Sequence, residues 1–316
     1  MKKNHHRLLA PGLLFSANLL VFAQIPATAQ SLWAAPKTPC VKSNCAAPAR
    51  ISLDGIFDDA EIGAQLGKIG GRLIDSGKAV KMATLIDQLS RKTCSLALPR
   101  PGSWKRSSSQ VAESSKPAVL IVARLFRCQD CKEWTAAPAS GFFIASSGAF
   151  VTSYHVVDEP RYETMIVMSG LGQVFPVREV LAADKEHDIA ILRVEGRDLP
   201  ALAIECSVQT MGSRVYVISH PYGHIYTMTE GIISRYCHLN EDEGPRNMLE
   251  ITADFAPGSS GAPVLDERGN VAGWVDNIRF RAESGGSGSE GQPGISFHQC
   301  GVAADVLSLI QTSKRK

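Results

Sequence analysis

Three residues of the types used in nucleophilic catalysis are set in surroundings that suit that chemistry. His155 ends an apolar, strand-like run, Asp188 opens another, and Ser260 lies in a turn-like, glycine-containing segment. A serine hydroxyl becomes a nucleophile when a base with a pKa of about 7 accepts its proton and a carboxylate fixes the tautomer of that base. The three side chains therefore predict acyl transfer, provided that the fold brings them together.

The serine segment, residues 254–263 (DFAPGSSGAP), holds two adjacent serines, Ser259 and Ser260. A nucleophile on a tight turn needs neighbouring glycines so that backbone N–H groups can converge on the developing oxyanion. Gly258 and Gly261 flank the pair. These residue types alone do not decide which serine reacts.

The first 29 residues have the pattern of an export signal, with a basic start, an apolar centre and the small residues Ala27-Thr28-Ala29 at its end. The apolar stretch is shorter than the roughly 20 residues of a stable membrane span. We expect cleavage near Ala29, with a retained N-terminal anchor as the alternative.

The charge balance of the remaining chain is nearly neutral. Removal of Lys2, Lys3 and Arg7 with the leader leaves 30 basic against 31 acidic residues. This balance gives no electrostatic basis for nucleic-acid binding. We expect a periplasmic or secreted protein with no nucleic-acid partner and no transmembrane span after signal removal.

Eight cysteines in an exported chain indicate an oxidising compartment and disulfide bonds. The pair Cys128 and Cys131 favours a local disulfide over half of a zinc site or a redox dithiol. Neither the second cysteine pair nor the histidine cluster that zinc would require is spaced nearby. We therefore expect no metal and no cofactor.

The N-terminal third has a helical pattern. Residues 30–50 are rich in Ala, Pro and Lys and predict a linker. Between Phe57 and Lys92 apolar residues recur at spacings of three and four, with a break at residues 76–78, which predicts a helical hairpin. Residues 99–115 predict a second break. The helical segment could be a pro-region, a partner-binding module or a packing element.

The pattern changes after Lys116 to short runs rich in Val, Ile and Phe, separated by Gly, Pro and Asp. Such runs, arriving about every eight to twelve residues without intervening helices, predict an antiparallel sandwich or barrel. The region is long enough for two barrels. Residues 302–311 (VAADVLSLIQ) predict a closing helix.

Three sequence blocks in the order His, Asp, Ser resemble the trypsin-like (chymotrypsin-fold) serine proteases, and among them the bacterial HtrA/DegP-type periplasmic enzymes. The blocks are residues 140–157 (SGFFIASSGAFVTSYHVV), 184–192 (DKEHDIAIL) and 257–263 (PGSSGAP). Further similarity lies in ISHPYG, TMTEGIIS and GISF. The similar region covers about residues 118–309.

The resemblance implies an all-β fold of two antiparallel six-stranded β-barrels with a C-terminal helix, preceded by a small helical N-terminal segment. The expected organisation is a signal peptide over 1–29, a linker plus helical segment of unknown role over 30–115, and a trypsin-like serine protease domain over 116–312. Within that domain, barrel 1 is expected at about 116–200 and barrel 2 at about 201–302.

The resemblance also implies roles for the catalytic residues. His155 matches the base, Asp188 the carboxylate that orients it, and Ser260 the nucleophile. Asp184 is a weaker candidate for the orienting role, because its neighbours are typical of a turn whereas Asp188 opens an apolar strand.

The family pattern Gly-x-Ser-Gly makes Ser259 a spacer beside the nucleophile. The oxyanion hole is then expected in the loop Gly258, Ser259 and Ser260, through the N–H groups of Gly258 and Ser260. Ala262 replaces a family glycine, and we expect the methyl group to be tolerated unless the backbone there needs a positive φ.

The resemblance suggests a substrate pocket as well. Asp254 lies six residues before Ser260, the offset at which trypsin-like digestive enzymes place the acid that selects Lys or Arg. Alternatively, it matches an aspartate that lies further upstream in HtrA-type relatives. The other expected substrate-binding residues are Asp276, Asn277, Gly294 and Ile295.

Two departures from HtrA-type enzymes concern architecture. Those enzymes continue into PDZ domains, whereas only seven residues follow Leu309, so we expect none downstream. The N-terminal helical segment has no counterpart in the family. Oligomerisation is therefore not carried over.

These features together predict an exported serine endopeptidase that hydrolyses protein or peptide substrates through an acyl-enzyme. The alternative is a catalytically silent trypsin-like domain that serves as a binding module at the cell envelope. A dedicated esterase is disfavoured, because residues 258–262 do not form the Gly-x-Ser-x-Gly elbow of lipases.

Overall fold

The computed structural model describes residues 48–53, 55–128, 132–241, 244–282 and 294–311. The predicted signal peptide, most of the predicted linker and Cys131 lie outside these residues. None of the helices in these ranges combines the length and the apolar character needed to span a bilayer.

The N-terminal segment is helical, as predicted. After a short strand, β1 (Ala49–Arg50), it contains α1 (Asp59–Asp75) and α2 (Met82–Asp87), which runs into a 3-10 turn. The side chain of Asp58 accepts a hydrogen bond from the N–H of Glu61 and so caps α1. Apolar residues along one face of α1 are buried in the same core as barrel 1.

The predicted break over residues 99–115 is only partly correct, because its second half is helical. After β2 (Cys94–Ser95), the helix α3 (Ser108–Ser115) begins at a capping box in which Ser107 and Gln110 exchange side-chain and backbone hydrogen bonds. Val111, a residue of this helix, is fully buried. Capping and one buried anchor therefore outweigh the low helix propensity of a serine-rich run.

Barrel 1 is a closed antiparallel barrel of six strands, with β1 added at the edge of β7. Closure comes from the pairing of β7 with β8. A four-residue helix, α4 (Tyr154–Val157), follows the third strand. The six strands are β3 (Val119–Arg127), β4 (Trp134–Phe143), β5 (Ala149–Ser153), β6 (Thr164–Ser169), β7 (Gln173–Asp184) and β8 (Ile189–Val194).

Barrel 2 is a second closed barrel of six antiparallel strands, in the spatial order β10-β11-β14-β13-β12-β9. Its apolar interior contains Val217, Leu249 and Val264. The strands are β9 (Arg214–Ser219), β10 (Thr227–Glu241), β11 (Gly244–Ile251), β12 (Pro263–Asp266), β13 (Val271–Ala282) and β14 (Gly294–Val302). Two six-stranded barrels confirm the predicted fold class.

The closing helix is present but shorter than predicted. It spans α5 (Ala303–Ser308), and the chain then extends into β15 (Ile310–Gln311). This strand pairs in parallel with β2 of the N-terminal segment. The pairing explains why the helix ends early, since the last two predicted helical residues are held in an extended ladder.

Candidate active site

The first two candidate catalytic residues meet because of strand register in barrel 1. Ser153 at the end of β5 pairs with Ile189 at the start of β8, so the residues just beyond these strand ends become neighbours. Nδ1 of His155 lies 2.8 Å from Oδ2 of Asp188. The backbone N–H of His155 donates to the other carboxylate oxygen at 2.9 Å. Both oxygens of Asp188 therefore hold His155.

The environment of His155 suits a general base. Its side chain is half exposed, whereas that of Asp188 is buried. Burial lowers the pKa of His155, but the hydrogen bond and charge of Asp188, with a further contribution from Asp276, outweigh this effect, so that the pKa is raised above its ordinary value.

Asp184 is engaged elsewhere. Its carboxylate lies 2.7 Å from Nδ1 of His187 and accepts a hydrogen bond from the N–H of Glu186. It therefore closes the turn between β7 and β8. Of the two candidate carboxylates, only Asp188 contacts His155 in the described residues.

The serine segment forms a compact loop attached to both barrels. Gly258 has φ +101° and Gly261 has φ +84°, a conformation that favours glycine. A Cβ on Gly258 would come within 2.4 Å of the carbonyl oxygen of His220. The N–H of Ser140 in barrel 1 donates to the carbonyl of Ser260 at 3.0 Å. Ala262 is buried and is not among the positive-φ residues.

The two serines point into different environments. Ser259 is fully buried, and its Oγ donates to Oγ of Ser219 at 2.9 Å. Ser260 instead lines the cavity that also contains His155 and Asp188. The loop thus separates a serine that faces the protein interior from one that faces the cavity.

The backbone N–H groups of this loop also differ, because some donate a backbone hydrogen bond and others do not. The N–H of Ser259 donates to the carbonyl of Ala256 at 2.9 Å. Those of Gly258 and Ser260 donate no backbone hydrogen bond among the described residues. They are therefore available to an oxyanion, whereas Ser259 contributes no free N–H.

The cavity has a volume of about 950 Å³ and takes its walls from both barrels. Three side chains, those of Phe255, Val275 and Ile278, give it an apolar surface. Among the residues that the structure describes, the lining consists of Tyr154, His155, Asp158, Lys185, Glu186, Asp188, Arg246, Phe255, Ala256, Pro257, Ser260, Val275, Asp276, Asn277 and Ile278.

Asp276 and Asn277 both line this cavity, but the surroundings of Asp276 were not foreseen. Its buried carboxylate lies 3.0 Å from Nη1 of the equally buried Arg246. Burial, followed by the charge of Asp188, raises the pKa of Asp276 to about 7. Sequence reasoning missed Arg246, because its neighbours in the chain give no signal that the strand β11 turns this side chain toward the cavity.

Asp254 lies apart from the catalytic cavity. Its side chain is 86% exposed, and its carboxylate is 3.7 Å from Nε2 of His298. It lines a second cavity of about 450 Å³ on barrel 2. This position gives no support to a pocket-base role. Gly294 and Ile295 open β14, opposite Ala282 and Arg281.

The cysteines are only partly paired. Cys128 is disulfide-bonded, and its predicted partner Cys131 lies outside the described residues. Cys94, Cys206 and Cys300 are thiols, so the eight cysteines are not all paired with one another. No cluster of potential metal ligands occurs in the described part of the chain.

Part of the sequence that forms these barrels and loops matches a known protein family. Residues 139–273 match the family described as the trypsin-like peptidase domain. The chain carries a trypsin-like peptidase domain. The matched range includes His155, Asp188 and Ser260, and it ends in β13.

The trypsin-like domain is homologous to that of curated proteins described as probable periplasmic serine endoproteases, DegP-like. The protein from Pseudomonas fluorescens is 29% identical over 175 residues, covering 55% of this chain and 35% of the relative. That from Hahella chejuensis is 29% identical over 182 residues, covering 54% and 35%. The chain thus matches about a third of the length of these relatives.

The fold has a counterpart among solved structures. The HtrA-type protease AlgW with a tripeptide superposes with a TM-score of 0.52 at 22% identity, over 64% of this chain and 62% of that one. A likeness at this identity concerns the fold, and it agrees with the two barrels described above.

Proposed function

We propose that the mature chain is an exported serine endopeptidase that cleaves peptide bonds through an acyl-enzyme on Ser260. The observation that carries this proposal is the 2.8 Å contact between His155 and Asp188 in a cavity that Ser260 also lines. Homology to serine endoproteases supports the same activity.

In the proposed mechanism, Oγ of Ser260 attacks the scissile carbonyl carbon while His155 accepts the hydroxyl proton. Asp188 stabilises the imidazolium that forms. The N–H groups of Gly258 and Ser260 bind the oxyanion. His155 then donates its proton to the leaving amine, and in the second half-reaction it activates the water that hydrolyses the acyl-enzyme.

The cavity supports a preference for uncharged, apolar substrate side chains beside the scissile bond. Phe255, Val275 and Ile278 supply an apolar wall near Ser260, and an apolar side chain gains free energy by burial there. A preference for Lys or Arg is not supported, because Asp254 lines the other cavity. Cleavage-site profiling with a peptide library by mass spectrometry tests this preference.

The proposed domain organisation has a cleaved leader over 1–29, a linker plus helical segment over 30–115 and the protease domain over 116–312. The leader pattern and the periplasmic description of the DegP-like relatives support export. We also propose a disulfide between Cys128 and Cys131, which the bonded state of Cys128 supports.

A fluorophosphonate probe tests the nucleophile directly. We expect the probe to label the mature protein and the Ser260→Ala variant to lose both labelling and peptide hydrolysis. The matched control is Ser259→Ala, which removes the hydrogen bond donated to Ser219 and the longer one accepted from the N–H of Ala256. It should keep labelling, at a cost in stability of about 1 kcal/mol.

Two results would contradict the proposal. Labelling that persists in Ser260→Ala and disappears in Ser259→Ala would reverse the roles of the two serines. An unlabelled wild-type protein that hydrolyses no member of a broad peptide library, with its fold verified by circular dichroism, would favour the silent binding module.

A further inference from the structure

An exposed tyrosine lies directly against the serine loop. The N–H of Tyr222 donates to the carbonyl of Pro257 at 2.7 Å, and the same nitrogen would lie 3.4 Å from a Cβ on Gly258. Tyr222 is nevertheless 74% exposed. An aromatic residue therefore faces solvent beside the glycine whose N–H is proposed to bind the oxyanion.

Tyr222 is also held in an unfavourable backbone conformation. Its φ is +50° and its ψ is 25°, the left-handed region in which a residue with a Cβ is strained. Strain of this kind persists only where the surrounding structure imposes it, and it clusters at functional sites. Glycine would adopt this conformation without strain, so the presence of tyrosine needs another explanation.

Tyr226, four residues later, shows how packing offsets the same strain. Its φ is +52°, but it is buried, and its hydroxyl donates to the carbonyl of Met168 in barrel 1 at 3.1 Å. Its ring also packs edge-to-face on the ring of His220, with 4.8 Å between the centroids. Tyr222 keeps most of its surface in solvent, so packing within the chain does not offset its strain in this way.

His220 and Tyr226 hold the loop between them in place. Nδ1 of His220 accepts from the N–H of Tyr226 at 3.0 Å, so the ring hydrogen lies on Nε2. That nitrogen donates to the carbonyl of Leu120 in barrel 1, also at 3.0 Å. The carbonyl of His220 accepts from the N–H of Gly223 at 3.1 Å. These contacts fix the backbone of Tyr222 next to the serine loop.

The position of Tyr222 favours one side of the scissile bond. The apolar wall of Phe255, Val275 and Ile278 can hold the substrate side chain that precedes this bond. A peptide held there, with its carbonyl oxygen on the N–H of Gly258, leaves the cavity past that glycine. Tyr222 lies at this point, so its ring is placed to meet the substrate residues that follow the scissile bond.

We propose that the ring of Tyr222 determines specificity on the leaving-group side of the scissile bond, by packing against an apolar or aromatic side chain of the peptide substrate. This inference rests on the proposed function and adds to it a selective contact outside the cavity. Because the backbone of Tyr222 is already held in one conformation, little backbone freedom is lost when the substrate binds.

Tyr222→Ala and Tyr222→Phe test the contact with the substrate. An aromatic pair contributes roughly 3- to 10-fold in affinity. Tyr222→Ala should therefore lower kcat/KM by this factor for a peptide with Phe directly after the scissile bond, and leave it unchanged for one with Gly there. Tyr222→Phe keeps the ring and should retain the wild-type preference. The matched control is Trp104→Ala, which removes another exposed aromatic side chain and should change neither value.

The rate of fluorophosphonate labelling separates specificity from support of the serine loop. The probe carries no peptide residue on the leaving-group side, so Tyr222→Ala should be labelled at the wild-type rate. Slower labelling of Tyr222→Ala, together with equal losses of kcat/KM for the Phe and Gly peptides, would show that Tyr222 only supports the oxyanion loop. That result would overturn the inference.

Peptide binding to the Ser260→Ala variant tests the inference without turnover. The probes are two fluorescein-labelled peptides that differ only in a central Leu-Phe or Leu-Gly pair, and fluorescence anisotropy measures their affinities. A preference for the Leu-Phe peptide that disappears when Tyr222→Ala is added would support the inference even if the protein cleaved no peptide, in which case only the proposed function would fail. Equal affinities for the two peptides in Ser260→Ala would overturn it. So would an active enzyme whose preference after the scissile bond is the same in wild type and Tyr222→Ala.

Discussion

At the residue scale, the two carboxylate oxygens of Asp188 accept different hydrogen bonds from His155. One carboxylate oxygen accepts from the backbone and fixes the position of α4, and the other accepts from Nδ1. The second contact requires the hydrogen on Nδ1, which leaves Nε2 free to act as a base. The tautomer needed for acyl transfer thus follows from local hydrogen bonding.

The raised pKa of His155 predicts the pH dependence of activity. Only the neutral imidazole can accept the proton of Ser260, so activity should be lost as the pH falls through the pKa of His155. Because that pKa is raised above 6.5, we expect the acidic limb of kcat/KM to have its midpoint above pH 6.5. A midpoint below this value would show that the interaction with Asp188 does not outweigh the burial of the imidazole.

Replacement of Asp188 provides a second prediction at this scale. Asp188→Asn presents an amide to Nδ1 and favours the wrong tautomer, so kcat should fall by about 10⁴-fold. Asp184→Asn is the matched control, since Asp184 pairs with His187, and it should retain activity. Comparable losses in steady-state assays of the two variants would contradict the assignment of Asp188.

At the element scale, α1 packs closely against barrel 1 at positions that are occupied by glycine. A Cβ on Gly67 would lie 2.2 Å from the carbonyl oxygen of Trp134 on β4, whereas a Cβ on Gly63, one turn earlier, would have no neighbour within 4 Å. The close approach of the helix to β4 at Gly67 therefore depends on the absence of a side chain at that position. The segment is thus an integral packing element of the described structure.

This contrast predicts opposite effects of the same substitution. Gly67→Ala should lower the free energy of unfolding by about 2 kcal/mol or more through overpacking. Gly63→Ala should raise it by about 0.5 to 1 kcal/mol through helix propensity. Urea denaturation of both variants measures the difference, and equal stabilities would show that α1 is not docked as described.

The elements and the site were predictable to different degrees. The pairing of His155 with Asp188 could be expected from the resemblance of their sequence blocks to those of the trypsin-like serine proteases, and the register of β5 with β8 gives its physical reason. The helix α3 was missed because its stability comes from a capping box and from Val111 packing on distant residues. Asp254 was misleading because its offset from Ser260 carries no information about which way its side chain turns.

At the scale of the whole molecule, the N-terminal segment contacts both barrels. While α1 packs on β4 of barrel 1, its first residue, Asp59, accepts a hydrogen bond from the N–H of Ile225 and contacts Nδ1 of His224, each at 3.3 Å. The same loop of barrel 2 contains Tyr222, whose N–H donates to the carbonyl of Pro257 at 2.7 Å. A short chain of contacts therefore connects α1 to the serine loop.

This connection predicts an effect on turnover from a residue remote from the chemistry. Asp59→Ala should loosen the loop that supports Pro257 and lower kcat about 2- to 10-fold, the value of one or two ordinary hydrogen bonds. Asp75→Ala, at the exposed far end of the same helix, is the matched control. Equal kcat values for the two variants would show that α1 does not steady the serine loop.

The parallel pairing of β15 with β2 has a consequence for the order of folding. Cys94 can meet Ile310 only after almost the whole described chain is available, and contacts so distant in sequence carry a large loop-closure cost. Both barrels can close before this pairing forms. The join between the N-terminal segment and the last described residues is therefore expected to form late in folding, only after the residues of β15 have been synthesised.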